Sequence, residues 1–276
     1  MAWKAYYISP LKDDKAEQMS SLLFNLGADG IEEDEAGIKA YFEDSNLSFA
    51  EIELEIKALP GINGCSIESS LMPDTNWNAE WEKNYAPVLI DDKVMVRASF
   101  HQPDQKFSYD ILIDPKMLFG TAHHATTESM IRVMLDIDMK RKRVLDFGCG
   151  TAVLAILAEK MGAKNVTAID YDEWAFENSK ENIAKNHCQK IDLKCGNAEE
   201  LLEDKYDVIL ANVTRNVIMS NAHTLKKHLK PSGYLLLSGL LEADEAPVLE
   251  KIEGSELKKL TTLKKDNWIA IVLKAA

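Results

Sequence analysis

The spacing of apolar residues divides the chain into a front part of short mixed elements and a longer part in which strands and helices alternate. Residues 3–8, Trp-Lys-Ala-Tyr-Tyr-Ile, are rich in aromatic and β-branched side chains and predict a strand. Over 13–26, Ala16, Met19, Leu22, Leu23 and Leu26 recur at helical spacing, and Gly27 stops the run. Short strands are expected near 30–33 and 39–42, a second helix over 48–57 and a further strand over 65–71. Two helices among four short strands predict a small α+β, ferredoxin-like domain over residues 1–74.

Residues 75–87 read as a connecting helix closed by Pro87, with Trp77 and Trp81 four apart on one face. That face either packs on a neighbouring domain or walls a substrate. Strand-like stretches follow at 93–100 and 109–113. Short apolar strands at 143–146, 166–170, 191–195, 207–211 and 234–238 then alternate with helical segments. This pattern predicts an α/β domain over 88–276 with a doubly wound, Rossmann-like parallel sheet. Residues 257–263 and 268–273 flank a polar turn and read as a hairpin, which inserts one antiparallel strand at the sheet edge.

Composition adds limits. Of 276 residues, 46% are hydrophobic and 28% charged, ordinary for a soluble globular protein. No apolar run reaches the roughly 18 residues that span a bilayer, and the first ten residues lack a signal-peptide pattern, so a cytoplasmic protein without membrane contact is expected. Cys65, Cys149, Cys188 and Cys195 form no CxxC pair, and only His123 and His124 stand close together; neither a metal nor a disulfide framework is expected. Residues 1–75 hold 5 lysines and no arginine against 15 acids, so they carry −10 of the net −13. Such a front domain repels a phosphate backbone and attracts a basic protein, which disfavours direct nucleic-acid contact.

The chemistry concentrates in Val144-Leu145-Asp146-Phe147-Gly148-Cys149-Gly150-Thr151-Ala152-Val153. A strand ends at Asp146, a glycine-rich bend follows, and a helix begins near Ala152. Gly148 and Gly150 let a ligand approach the backbone. The dinucleotide fingerprint wants a small residue where Val153 stands, and Asp146 would repel a pyrophosphate. The loop therefore suits a cationic sulfonium donor, S-adenosylmethionine, better than a nicotinamide dinucleotide. Asp170, 22 residues after Gly148, is placed to bond ribose hydroxyls. Asp172 is either a competing ribose acid or the N-cap of the next helix. Asn197 sits near the adenine edge or is a plain turn residue. Asn212 closes the fourth strand, where its amide can accept a hydrogen bond from an incoming amine.

One more string precedes the sheet: Asp114-Pro115-Lys116-Met117-Leu118-Phe119-Gly120-Thr121-Ala122-His123-His124-Ala125-Thr126-Thr127. Thr126 and Thr127 open a helix, where threonine hydroxyls commonly cap free N–H groups. The whole string resembles the Asp-Pro-Gly-x-Ala-Phe-Gly-Thr-Gly-x-His-x-Thr-Thr motif of the bacterial PrmA family, methyltransferases of the large-subunit ribosomal protein L11. The likeness continues through 146–154, Asp170, Ile209-Leu210-Ala211-Asn212, Leu237-Ser238-Gly239-Leu240-Leu241 and the Trp77–Pro87 linker. It implies transfer of methyl groups from S-adenosylmethionine to lysine or N-terminal amines of that protein, gripped by the acidic front domain. It also implies that Thr127, Gly148, Asp170 and Asn212 contact the cofactor, and that Phe119 and Thr121 belong to a loop over the methyl group. Three departures stand out. Ala122 and Ala152 replace family glycines, and Val213-Thr214 stands where Pro-Leu is usual. His123 or His124 is a proton acceptor or merely packs the loop. The remaining alternatives are a methyltransferase of another protein or a small molecule, and a binding module without catalysis.

Overall fold

Tyr6 and Ile8 of β1 (Trp3–Ser9) are fully buried. β1 lies inside an antiparallel sheet with β2 (Gly30–Glu33), β3 (Ile38–Phe42) and β4 (Ser66–Met72), ordered β2-β3-β1-β4. Helices α1 (Asp13–Asn25) and α2 (Phe49–Ala58) supply Met19, Leu23, Ile52 and Ile56 to its core, where Tyr6 meets Phe42 edge to face at 5.6 Å. The element order β-α-β-β-α-β, with the first and third strands paired, is that of a split β-α-β fold.

The computed structural model describes residues 3–10, 13–34, 36–42, 49–59, 65–72, 85–114, 122–201, 204–252 and 257–276. They fall into two compact units, Met1–Tyr85 and Ala86–Ala276. Of the expected linker helix, residues 85–87 carry no helical turn; Trp77, Trp81 and the rest of it lie outside the described residues.

The second unit opens with a small sheet of β5 (Val88–Ile90), β6 (Val94–Arg97) and β7 (Tyr109–Leu112). Helix α3 (Ala125–Leu135) leads into the main sheet. Its elements in chain order are β8 (Arg143–Phe147), α4 (Val153–Lys160), β9 (Asn165–Asp170), α5 (Glu173–Lys185), β10 (Ile191–Cys195), β11 (Tyr206–Asn212), α6 (Arg215–His228), β12 (Leu229–Leu241), α7 (Glu245–Ile252), β13 (Leu257–Lys265) and β14 (Trp268–Ala275). The strands are ordered β10-β9-β8-β11-β12-β14-β13. Pairing is parallel from β10 to β12, and β14 runs antiparallel to both its neighbours. The expected antiparallel strand thus lies one place in from the edge. β14 is apolar and buried over Ile269–Leu273, whereas β13 carries Lys258, Lys259 and Lys264 and is mostly exposed, a composition that blunts an edge.

Alternation along the strands feeds a core on each side of the sheet. Val144, Val208 and Leu210 join α3 and α4 on one face, while Leu145, Ile209 and Ala211 join α6 and α7 on the other. The strand order turns at β8 and β11, so a crevice opens at their carboxyl ends. Among the described residues no helix is long and apolar enough to cross a membrane.

Candidate active site

The bend after β8 sits in that crevice. Gly148 and Gly150 adopt φ of 73° and 55°. The N–H groups of Gly148 and Cys149 both donate to the carbonyl of Ile169, at 2.9 and 3.1 Å, which ties the bend to β9. A Cβ on Gly148 would lie 2.2 Å from Cγ1 of Val213, so only hydrogen fits. Asp170 holds the bend from the side: Oδ2 accepts from the Gly150 N–H at 2.9 Å, and Oδ1 accepts from the Asp172 N–H at 3.1 Å. Asp172 itself caps α5, accepting from the Trp174 N–H at 2.9 Å. Of the two acids, Asp170 is therefore the one bound to the glycine bend.

Asp146 differs from its sequence expectation. It is 1% exposed, lines neither cavity of the crevice, and accepts from the Ala155 N–H at 3.0 Å. Burial, with the charge of Asp170 adding to it, pushes its carboxyl up to about 7. It anchors the start of α4 beneath the bend instead of facing a cationic ligand. The neighbouring Cys149 thiol is likewise pushed well up by burial, so it stays protonated and is no nucleophile.

Two cavities meet over Gly148 and Gly150. The larger, about 630 Å³, is bounded by Asp170, Tyr171, Asn197 and Ala198. The smaller, about 270 Å³, is bounded by His124, Thr127, Leu154, Gly239 and Trp268. Gly148, Gly150, Asn212, Val213 and Thr214 line both. No lysine or arginine lines either one among the described residues, so no cationic side chain stands there to pair with a phosphate. A separate cavity at the amino ends of the parallel strands is lysine-lined, but Lys230 pairs with Asp207 at 3.0 Å and Lys205 donates to the Lys227 carbonyl.

The structure brings Thr127, Gly148, Gly150, Asp170 and Asn212 together around these cavities. Asn212 Nδ2 donates to Thr127 Oγ1 at 3.1 Å, joining the end of β11 to the first turn of α3. The cap of α3 is not a threonine: the His124 ring accepts from the Thr126 N–H at 3.3 Å, and its Nδ1 lies 2.8 Å from Thr126 Oγ1. That ring also stands edge-on to Trp268 at 4.9 Å. His123 Nε2 is bonded to the Ala86 carbonyl at 2.9 Å and lines neither cavity. Phe119 and Thr121 lie outside the described residues.

Ala122 and Ala152, where the resemblance implies glycine, are both left-handed, at φ 67° and φ 63°. Val213 is pinched between two glycines, because a Cβ on Gly239 would lie 2.3 Å from the Val213 carbonyl oxygen. Trp268 and Gly239, neither of them a sequence-predicted site residue, line the smaller cavity as well. The run Leu-Ser-Gly-Leu-Leu at the end of β12 was the available signal for Gly239, since glycine inside a strand marks close backbone approach.

Residues 9–276 match the family described as Ribosomal protein L11 methyltransferase (PrmA). A protein named ribosomal protein L11 methyltransferase from Porphyromonas gingivalis is 40% identical over 257 residues, covering 92% of this chain and 88% of that one. One of the same name from Phocaeicola vulgatus is 37% identical over 266 residues, covering 95% and 94%. The crystal structure of a ribosomal protein L11 methylase from Lactobacillus delbrueckii subsp. bulgaricus shares the fold, with a TM-score of 0.63 at 23% identity over 69% of this chain and 98% of that chain. The chain belongs to the ribosomal protein L11 methyltransferase (PrmA) family.

Proposed function

We propose that this protein is a cytoplasmic S-adenosylmethionine-dependent N-methyltransferase whose acceptor is a lysine or N-terminal amine of ribosomal protein L11. The observation that carries the reading is the meeting of two cavities at Asn212, above a glycine bend that a Cβ would fill and beside the Asp170 carboxylate. The residues suit the donor. Gly148, Gly150 and Asp170 would hold its nucleoside end, and Thr127 and Asn212 its reactive end. When bound, S-adenosylmethionine supplies an electrophilic methyl group on a sulfonium.

The chain's own task is to present a neutral amine in line with that methyl group. Asn212 Nδ2 is engaged by Thr127, which leaves Oδ1 to accept from the amine and aim its lone pair. Proximity and orientation of this kind supply roughly 7–11 kcal/mol in favourable cases. A lysine ammonium near pKa 10.4 must first lose its proton to solvent, and an α-ammonium near 7.7–8.0 loses it readily. Leu154, Val213 and Trp268 around the smaller cavity disfavour the charged amine and so ease that loss. Val213 and Thr214 present no flat ring after Asn212, which suits an aliphatic acceptor. The −10 balance over residues 1–75 favours docking of a basic protein.

The test is mass analysis of purified L11 after incubation with the chain and S-adenosylmethionine. Mass increments of whole methyl groups on amines support the reading. An unmodified L11, with label appearing on another protein or a small molecule, transfers the assignment to that acceptor.

A further inference from the structure

Helix α5 buries a polar face. Ala175, Asn178, Ser179 and Asn182 point inward and Asn186 follows at its C-cap, all buried. A helix on a sheet ordinarily buries an apolar stripe, and polar groups placed there cost free energy unless partnered. Two of these groups find their partners in the glycine bend. Ser179 Oγ donates to the Gly150 carbonyl at 2.6 Å, and Asn182 Nδ2 donates to the Thr151 carbonyl at 3.1 Å. Gly150 is thus held from both sides, its N–H by Asp170 and its carbonyl by Ser179. Asn186 reaches elsewhere: it accepts from the Leu112 N–H at 2.9 Å and donates to the Leu112 carbonyl at 2.7 Å, gripping β7. Within the helix it also donates to the Asn182 backbone carbonyl at 2.9 Å, leaving the Asn182 side chain untouched.

The bend has reason to relax. Gly150 and Ala152 flank Thr151 at φ of 55° and 63°, and for alanine that conformation is intrinsically unfavourable. We propose that Ser179 and Asn182 are positioning residues of the methyl-donor site, drawing two successive carbonyls onto α5 and so holding the bend in its ligand-binding shape before the donor arrives. The proposal rests on the S-adenosylmethionine reading above. Binding to a bend already so held avoids the ordering cost that a relaxed one incurs.

Isothermal titration of the full chain with S-adenosylhomocysteine tests it, comparing wild type with S179A, N182A, S179C and N186A, each also melted without ligand. S179A and N182A should each bind about tenfold more weakly, the size expected when one buried carbonyl loses its donor. In steady state their KM for the donor should rise by much more than kcat falls. S179C, kept reduced because its sulfur would stand beside that of Cys149, keeps a weak donor and should fall between S179A and wild type. N186A disturbs the same helix face without touching the bend, so it should lower the melting temperature and leave affinity unchanged. Wild-type affinity in S179A and N182A, or an equal loss in N186A, overturns the positioning role. Should S179A fail to fold, N182A and S179C decide by the same criteria. A wild-type chain that binds no ligand sinks the donor reading itself, which separates that failure from this one.

Discussion

Asn212 at the end of β11 and Thr127 in the first turn of α3 are 85 positions apart, yet one hydrogen bond of 3.1 Å joins them at the junction of the two cavities. The bond fixes which end of the Asn212 amide faces the acceptor. N212A should lower kcat/KM by about 100-fold, the size of a lost alignment, with a smaller change in donor affinity. T127V keeps the shape but frees the amide to turn, and about a tenfold loss is expected. Turnover and ligand titration are measured separately, and undiminished turnover in N212A removes this residue from the mechanism.

Gly148 has no room for a side chain. G148A must place a non-glycine residue at φ 73°, which costs about 1–2 kcal/mol, and must also push against Val213 Cγ1. The added V213A change removes that atom. Urea unfolding should therefore find the double variant more stable than the sum of the two single losses predicts. Strict additivity would mean that the two side chains do not meet.

Ala152 reverses the usual rule for glycine. At φ 63° its Cβ is a burden of about 1–2 kcal/mol. Replacement by glycine sheds that burden, but gives up about 0.8 kcal/mol of methyl burial and 0.4–1 kcal/mol of unfolded-state entropy. A152G should accordingly be nearly neutral. Ala155 and Ala158, equally buried within α4, carry no such strain, so A155G and A158G should each cost more than about 1 kcal/mol. Denaturant unfolding compares the three, and an equally destabilising A152G would contradict the assignment of strain.

Asp146 predicts a pH dependence with a definite sign. Its folded carboxyl titrates at about 7, against about 3.9 in an unfolded chain. Between those values the folded chain holds a proton that the unfolded chain has lost, so this group's contribution falls as pH rises and levels off above the folded value. D146N keeps an acceptor for the Ala155 N–H and carries no charge. Its stability relative to wild type should therefore climb from about pH 5 to about pH 8. A difference that stays constant across that range would show that Asp146 does not titrate in it.

The doubly wound sheet was legible because its parallel strands are buried on both faces and therefore read as short unbroken apolar runs, as in Ile209-Leu210-Ala211. The glycine bend, Asp170 and Asn212 were legible too, since each ends a strand at the crevice. The direction of Asp146 was harder to read, although alternation held the answer. Leu145 and Phe147 face the α6 layer, so Asp146 between them faces α4 and its unpaired first-turn N–H groups. The His124 cap is not legible in the sequence, because histidine is not among the favoured cap residues whereas the adjacent threonines are. Trp268 stands 144 positions beyond His124, the ring it touches, and reaches the site only because β14 is inserted beside β12. No local pattern carries that information.

Whether the glycine bend and Asp170 seat a sulfonium donor decides the proposed function. A crystal of the chain grown with S-adenosylhomocysteine answers it. The product should lie across Gly148 and Gly150, with its ribose hydroxyls within about 3 Å of the Asp170 carboxylate. Product found elsewhere, or an Asp170 that bonds only the backbone while the ribose points away, would contradict it.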